Sequence, residues 1–480
     1  MNHVLVVLAC LVAWSTQAQP AAPRPPNIIL VLADDLGWTD AAFAGSRFYE
    51  TPNLDALAAS GMRFTSFYVS QSGPPTRASL LTGNYAPRTG VYAVETLAPG
   101  DESARRMIPP KCRTSLRPGS PTLASVLKAA GYATGIVGQW QLGTEPDAHP
   151  ARFGFDETVL TSDKYVGFQV TPAAEVPAGT YLTDFLTDRA VDFVGRHKDH
   201  PFFLYLSYLA VRAPLDAKPA LVARFEKKAP AAGHRDAAYA ALIASLDESV
   251  GRILARIQEL QLTGQTVVIF ASDNGGVGGY PETDNSGRRI GVTDNAPLRG
   301  GQGMLYEGGI RVPFLVRWPG VTQPGSRTAQ PAIHVDLLPT LCEIAAVRPP
   351  SSPTLDGISL VPVLRDSTAT LGRDALFWHF PGYLEAYGRP GWRTTPVGVI
   401  RAGNFKLLEF LEDGRLELYN LVEDVSEKNN LVRSLPDKAH ELQSKLAAWR
   451  KAIDASMPEP KSHPSPPPSQ PSPPAPKPRP

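Results

Sequence analysis

NIILVLADD, residues 27–35, is a short β-branched apolar run that ends in two aspartates. It shows no polar alternation. It therefore reads as a central strand buried on both faces, delivering Asp34 and Asp35 at its carboxyl end. Working outward, Thr51-Pro52-Asn53-Leu54-Asp55 opens a helix that runs to about Ser60, where Gly61 stops it. Residues 122–130 read as another helix and 133–137 as another strand. Residues 202–209 (FFLYLSYL) and 266–271 (TVVIFA) are further buried strands, with a long amphipathic helix over 237–260 between them. Strands alternating with helices predict an α/β fold, an open sheet with helices on both faces. Ligands of such sheets collect at the carboxyl ends of the strands, where Asp34, Asp35 and Asp273 all fall.

A boundary is expected at residues 366–373. Beyond it, 396–400, 405–410 and 416–419 are short strand candidates separated by turns, and 436–454 is a helix. These predict a small antiparallel-sheet subdomain (residues 374–455) packed on the main α/β domain (residues 25–363). From Met457 to Pro480 half the residues are proline, a composition that cannot bury a core and predicts disorder or polyproline II. A solvated tail is a simpler reading of it than a partner-binding segment.

Residues 4–14 form an uncharged apolar run too short to span a bilayer, followed by Thr16-Gln17-Ala18. This predicts a signal peptide over residues 1–18 and a secreted or periplasmic protein. A lipoprotein site at Cys10 is disfavoured by the short stretch before it. No other segment reads as a membrane span. A formal net charge of +1 leaves no electrostatic footprint for nucleic acid. After cleavage Cys112 and Cys342 remain. Nothing in their spacing demands a disulfide, and the apolar helical setting of Cys342 reads as a buried thiol.

The clearest chemical constellation is Asp34-Asp35 after one strand and Asp273-Asn274 after another. Three carboxylates and an amide oxygen suit Ca²⁺, or Mg²⁺, rather than zinc, which favours His or Cys. Either doublet alone is common turn chemistry. Between the two doublets lies FTSFYVSQSGPPTRASLLTG, residues 64–83.

Together these segments closely resemble the secreted sulfatases. The resemblance is carried by RPPNIILVLADDLGW, TPNLDALAASGMRFTSFYV, RASLLTG, PFFLYLSYLAV, SDNGG, NAPLRGG, LYEGGIRVP, HVDLLPTL and LYNLVEDVSEKNNL, and spans roughly residues 25–455. It implies an alkaline-phosphatase-like mixed sheet with a small C-terminal subdomain, a divalent-metal site at Asp34, Asp35, Asp273 and Asn274, and a pocket for a sulfated glycan or small sulfate ester.

The departures from the family pattern are as specific as the matches. The family signature is Cys (or Ser)-x-Pro-Ser/Thr-Arg, whose first residue becomes the formylglycine nucleophile. Pro75, Thr76 and Arg77 fall in place, but the nucleophile position falls on Gly73, so formylglycine is absent. The family's Gly-Lys-Trp-His-Leu-Gly block appears with Gln139 and Gln141 in place of its lysine and histidine. The histidine of its His-x-Pro block appears as Arg212, and the lysine of its Leu-Arg-Gly-Gly-Lys-Gly block as Gln302. Glutamine can hydrogen-bond a sulfate oxygen but carries no charge and cannot act as an acid near neutral pH. Arg212 restores a charge but will not give up a proton. Loss of a nucleophile alone costs a factor on the order of 10⁶ in turnover.

Ser72 is the available substitute, although its spacing to Thr76 and Arg77 is one residue too long. Thr76 is expected to cap a helix beginning at Arg77 or Ala78. Arg77 has two readings of equal weight, contact with a bound anion or bracing of the acidic doublets, and Arg212 is the second candidate for anion contact. His379, in LFWHFPGY, reads as a packed histidine beside aromatics. The sequence therefore predicts a pseudo-sulfatase that keeps its cation. The alternatives are a working sulfate or phosphate ester hydrolase using Ser72 or a metal-bound water, and a structural or interaction protein.

Overall fold

The computed structural model describes residues 24–278, 291–351, 354–386 and 391–461. The expected signal peptide and nearly all of the proline-rich tail lie outside these residues. Among the described residues, ten strands form one mixed sheet. Its order is Ser326–Thr328, Met62–Tyr68, Arg311–Arg317, Thr266–Ser272, Asn27–Ala33, Phe202–Ser207, Ala133–Gly138, Glu157–Thr161 and Val170–Thr171. Ala332–Ile333 also pairs with Met62–Tyr68.

The strand Asn27–Ala33 lies near the middle, parallel to both neighbours, with every residue buried. Its side chains alternate between two cores. Ile28, Leu30 and Leu32 join the core shared with Leu123, Leu127, Leu337 and Leu341. Ile29, Val31 and Ala33 face the other way, onto Leu186, Phe193, Leu246 and Ile253. Those partners belong to the helices Leu123–Ala129 and Leu337–Ile344 on one face, and Leu182–Arg196 and Ala237–Glu259 on the other. A strand covered on both sides has no polar face, which is why its sequence lacks alternation.

The small sheet pairs Leu376–Phe380, Val397–Ala402, Phe405–Phe410 and Leu416–Asn420 antiparallel in that order. The helix Pro436–Ala452 covers one face through Leu442 and Leu446, against Ile400, Leu407 and Leu418. The opposite face, with Val399 and Leu408, packs on Tyr68, Tyr85 and Val335 of the main domain. A buried cation crosses the junction: Lys406 Nζ lies 3.0 Å from Glu307 and 2.9 Å from Glu427.

Several boundaries differ from the sequence reading. The strand read over 202–209 ends at Ser207, where the chain turns into the loop carrying Arg212. The helix after the signature begins at Gly73, with Ser72 as its N-cap residue, so Thr76 does not cap it. Pro74 and Pro75 fill the first turn, where proline needs no N–H partner. The Thr76 hydroxyl instead accepts from the backbone N–H of Ser70 at 3.0 Å. At the far end of the chain, Glu459–Pro460 pairs antiparallel with Met107–Ile108, so the first residues of the proline-rich segment are tied to the main domain. Cys112 and Cys342 are free thiols, and Cys342 is fully buried.

Candidate functional site

Strand register builds the site. Ala33 pairs with Ser272, Leu32 with Ser207, and Gly138 with Ser207, so four neighbouring parallel strands end at one edge. The next residue or two of each chain segment supply Asp34 and Asp35, Asp273 and Asn274, and Gln139. Gly138 allows the close approach: a Cβ there would lie 1.8 Å from the Ser207 carbonyl oxygen, and its φ of +112° favours glycine. The helix Gly73–Thr82 adds Arg77 from one face of the sheet.

Asp34, Asp35 and Asp273 are buried, and each offers an oxygen within 4.8 Å of the others'. Crowding three carboxylates out of water is unfavourable for their charged forms. Burial first, then the charges of Asp273 and Asp35, pushes Asp34 well above the usual carboxylate range. Burial and Asp273 push Asp35 up to about 6. Asp35 itself sits at φ +65°, a left-handed turn that places its side chain beside Asp273.

Arg77 is fully buried and spans the cluster. Its Nη2 lies 2.8 Å from Asp273 Oδ2 and 3.7 Å from Asp34 Oδ2. Its Nη1 donates to the Gln139 carbonyl oxygen at 3.1 Å and to the Ser207 hydroxyl. Bracing of the acidic doublets is thus present in the geometry. Nε is buried with no hydrogen-bond partner, 3.4 Å from where a Cβ on Gly73 would stand.

Gln141 Nε2 donates to Asp34 Oδ2 at 2.9 Å. Gln302 Nε2 and Asn274 Nδ2 both donate to Asp35 Oδ1 at 2.7 Å. Arg212 reaches the rim, with Nη1 at 3.2 Å from Asp163 Oδ2 and 3.9 Å from Asp34 Oδ2, its side chain about one third exposed. Gln139 stands apart: its amide donates to Thr161. Ser72 Oγ is buried without a hydrogen-bond partner. A Cβ on Gly73 would meet Asp273 Oδ2 and Gln141 Oε1, each at 2.6 Å, closer than real side chains pack.

Some supporting residues gave no sequence signal. Asp163 pairs with Arg212 across 49 residues, and Arg393 donates to Gln302 Oε1 at 3.2 Å across 91. Asp40, five residues past the first doublet, is fully buried and accepts from Tyr239, Thr293 and the Gly37 N–H. It fixes the loop that carries Asp34 and Asp35. Only its nearness to the doublet could have pointed to it. His379 is packed in the small sheet, with Nε2 2.8 Å from the Ser456 carbonyl oxygen, and burial pushes it down to about 4.

Residues 26–347 match the sulfatase family model, and residues 301–452 match a second, described as N-sulphoglucosamine sulphohydrolase, C-terminal. The chain belongs to the sulfatase family. A sulfatase of Formosa agariphila is 33% identical over 520 residues, covering 91% of this chain and 90% of that one. Human N-acetylgalactosamine-6-sulfatase is 33% identical over 368 residues, covering 72% of this chain and 66% of its own. Among solved structures, Ps i-CgsB in complex with k-i-k-neocarrahexaose superposes with a TM-score of 0.74 at 27% identity, covering 90% of this chain and 94% of that one. The mixed sheet and C-terminal subdomain are thus those of a sulfatase, within the alkaline phosphatase-like superfamily. Every residue discussed above as a site candidate, from Asp34 to Gln302, falls inside the sulfatase match.

Proposed function

We propose that this sulfatase-family protein is exported, holds a divalent cation and a sulfated ligand at the strand edge, and is impaired in sulfate ester hydrolysis. Asp34, Asp35, Asp273 and Asn274 would hold the cation, with Ca²⁺ the first candidate and Mg²⁺ the second. The donor set fits. It is all oxygen, and the buried carboxylates are crowded enough to be pushed out of their usual range. A divalent cation supplies the missing positive charge and attracts an anionic oxygen of a ligand.

The observation that carries the impaired reading is the space beside Gly73. The nearest described atoms are those of Asp273, Gln141 and Arg77, with two oxygens 2.6 Å from the place where a nucleophile-bearing Cβ would stand. Gln141 and Gln302 contact the carboxylates as neutral donors. They orient Asp34 and Asp35 but have no proton to give a leaving group near neutral pH. Arg212 offers a cation to an anionic ligand at the rim, and it cannot serve as an acid. The buried Ser72 hydroxyl contacts no base, which weighs against its use as an activated nucleophile.

The ligand class follows the relatives: one is a sulfatase of N-acetylgalactosamine 6-sulfate by its name, and another binds a neocarrahexaose. Among the described residues no helix is long and apolar enough to cross a membrane. Export rests on the residue 4–18 pattern and is checked by sequencing the N-terminus of protein recovered from intact cells.

A thermal-shift series tests the binding reading. Calcium at about 100 times its dissociation constant should stabilise the protein by about 2.7 kcal/mol over chelator. On the calcium-loaded protein a sulfated oligosaccharide should raise the midpoint further, and its desulfated counterpart should not. No calcium response contradicts the cation site. Equal responses to both sugars contradict the sulfated ligand.

A further inference from the structure

Gln141 combines three features that a merely solvated glutamine would not need. Its φ is +56°, a left-handed conformation rare for a residue with a side chain. It is held there between two buried anchors, Trp140, whose indole N–H donates to the Ala148 carbonyl oxygen at 2.8 Å, and Leu142. Its amide then turns into the acidic cluster, with Nε2 2.9 Å from Asp34 Oδ2. The ionised Asp34 that a bound cation favours can only accept, so in that state the bond sets nitrogen toward Asp34 and leaves Oε1 on the other side. That oxygen lies 2.6 Å from the point beside Gly73, and Asp273 Oδ2 lies 2.6 Å from the same point. The two oxygens are therefore no farther apart than ligands on opposite sides of one calcium ion, whose bonds run about 2.3–2.6 Å.

We infer that Gln141 is a further ligand of the divalent cation, its amide oxygen taking the position that the absence of a side chain at Gly73 leaves open. This rests on the cation reading above. The arrangement is chemically consistent. Amide oxygens are ordinary calcium ligands, and a neutral one adds coordination without adding to the repulsion among Asp34, Asp35 and Asp273. The hydrogen bond to Asp34 orients the ligating group through its other end, as outer partners orient ligands elsewhere. The left-handed backbone at Gln141 is then the conformation that aims the side chain at the cluster.

Calcium calorimetry and terbium luminescence on the full-length protein, wild type against Gln141→Leu and Gln141→Glu, decide it. Gln141→Leu removes the oxygen at nearly constant size. Its calcium dissociation constant should rise about tenfold, and luminescence lifetimes in H₂O and D₂O should count one more water on terbium than in wild type. Gln141→Glu keeps an oxygen there and loses the donor to Asp34. It should bind calcium at least as tightly as wild type, with wild-type hydration and a larger calcium-dependent rise in melting temperature. A purely positioning role would weaken both variants alike. Wild-type affinity and hydration in Gln141→Leu overturn the inference while leaving the cation site standing. A wild type that binds neither ion overturns both. Melting in chelator checks that each variant folds, and if Gln141→Leu does not, the direction of change in Gln141→Glu decides.

Discussion

Gln302 donates from Nε2 to Asp35 Oδ1 at 2.7 Å, and its own Oε1 accepts from Arg393 at 3.2 Å. A neutral relay thus stands between a buried carboxylate and a guanidinium. A lysine at this position would place a full positive charge against Asp35. Gln302→Lys should therefore lower calcium affinity by about tenfold or more, since a unit charge at about 4 Å is worth several kcal/mol even at an effective dielectric of 20. The same variant should tighten sulfate binding to the protein. Calorimetry with each ion measures both, and an unchanged calcium affinity would show that Asp35 does not face the cation.

Arg77 is the counter-charge buried with Asp273 and Asp34. Arg77→Met should destabilise the calcium-free protein by about 3–5 kcal/mol, because it leaves carboxylates buried and unpaired. Calcium should recover part of that loss. Denaturant unfolding in chelator and in calcium measures the two values. A loss under about 1 kcal/mol in chelator, within the range of exposed pairs, would contradict the bracing role.

Gly73→Ala places a methyl 2.6 Å from Asp273 Oδ2 and Gln141 Oε1. Asp273 is held by Arg77 and the Gln141 amide by Asp34, so the variant should lose about 1–3 kcal/mol, as overpacked sites do. Adding Gln141→Ala should recover part of the loss. Gly73→Ala as stable as wild type in thermal melts would show that the space is open.

Burial pushes His379 down to about 4, whereas in the unfolded chain it titrates near 6.5. Above pH 6.5 it is neutral in both states and contributes nothing to pH dependence. As pH falls below 6.5 the unfolded chain takes up a proton that the folded one refuses, so stability is lost progressively until about pH 4. The loss amounts to roughly 3 kcal/mol at the acid end. Gln at this position can still donate to the Ser456 carbonyl oxygen. His379→Gln should therefore lose less stability than wild type between pH 7 and 4, and parallel pH profiles would contradict the assignment.

The parts of the molecule legible in its sequence are those set by local pattern. Asn27–Ala33 was readable to the residue because a strand covered on both faces needs an unbroken apolar run with an abrupt polar end. Asp34, Asp35, Asp273 and Asn274 were readable because each doublet terminates such a strand, and the pairing of Ala33 with Ser272 brings them together. The start of the helix at Gly73 was not, because Gly-Pro-Pro reads as a loop until something fixes its first turn. Nor could the reach of Gln141 be read. It depends on a left-handed φ and on anchors at Trp140 and Leu142, which are properties of the packed protein. Gln139, two residues earlier in the same block, turns to Thr161 instead, and spacing alone could not separate the two.

The most direct test of the central claim is turnover of a chromogenic aryl sulfate by the purified, calcium-loaded protein, with Ser72→Ala alongside. Hydrolysis should be indistinguishable from buffer for both proteins. Clear release of the chromophore by the wild type, abolished in Ser72→Ala, would contradict it by showing that a nucleophile other than residue 73 works at this edge.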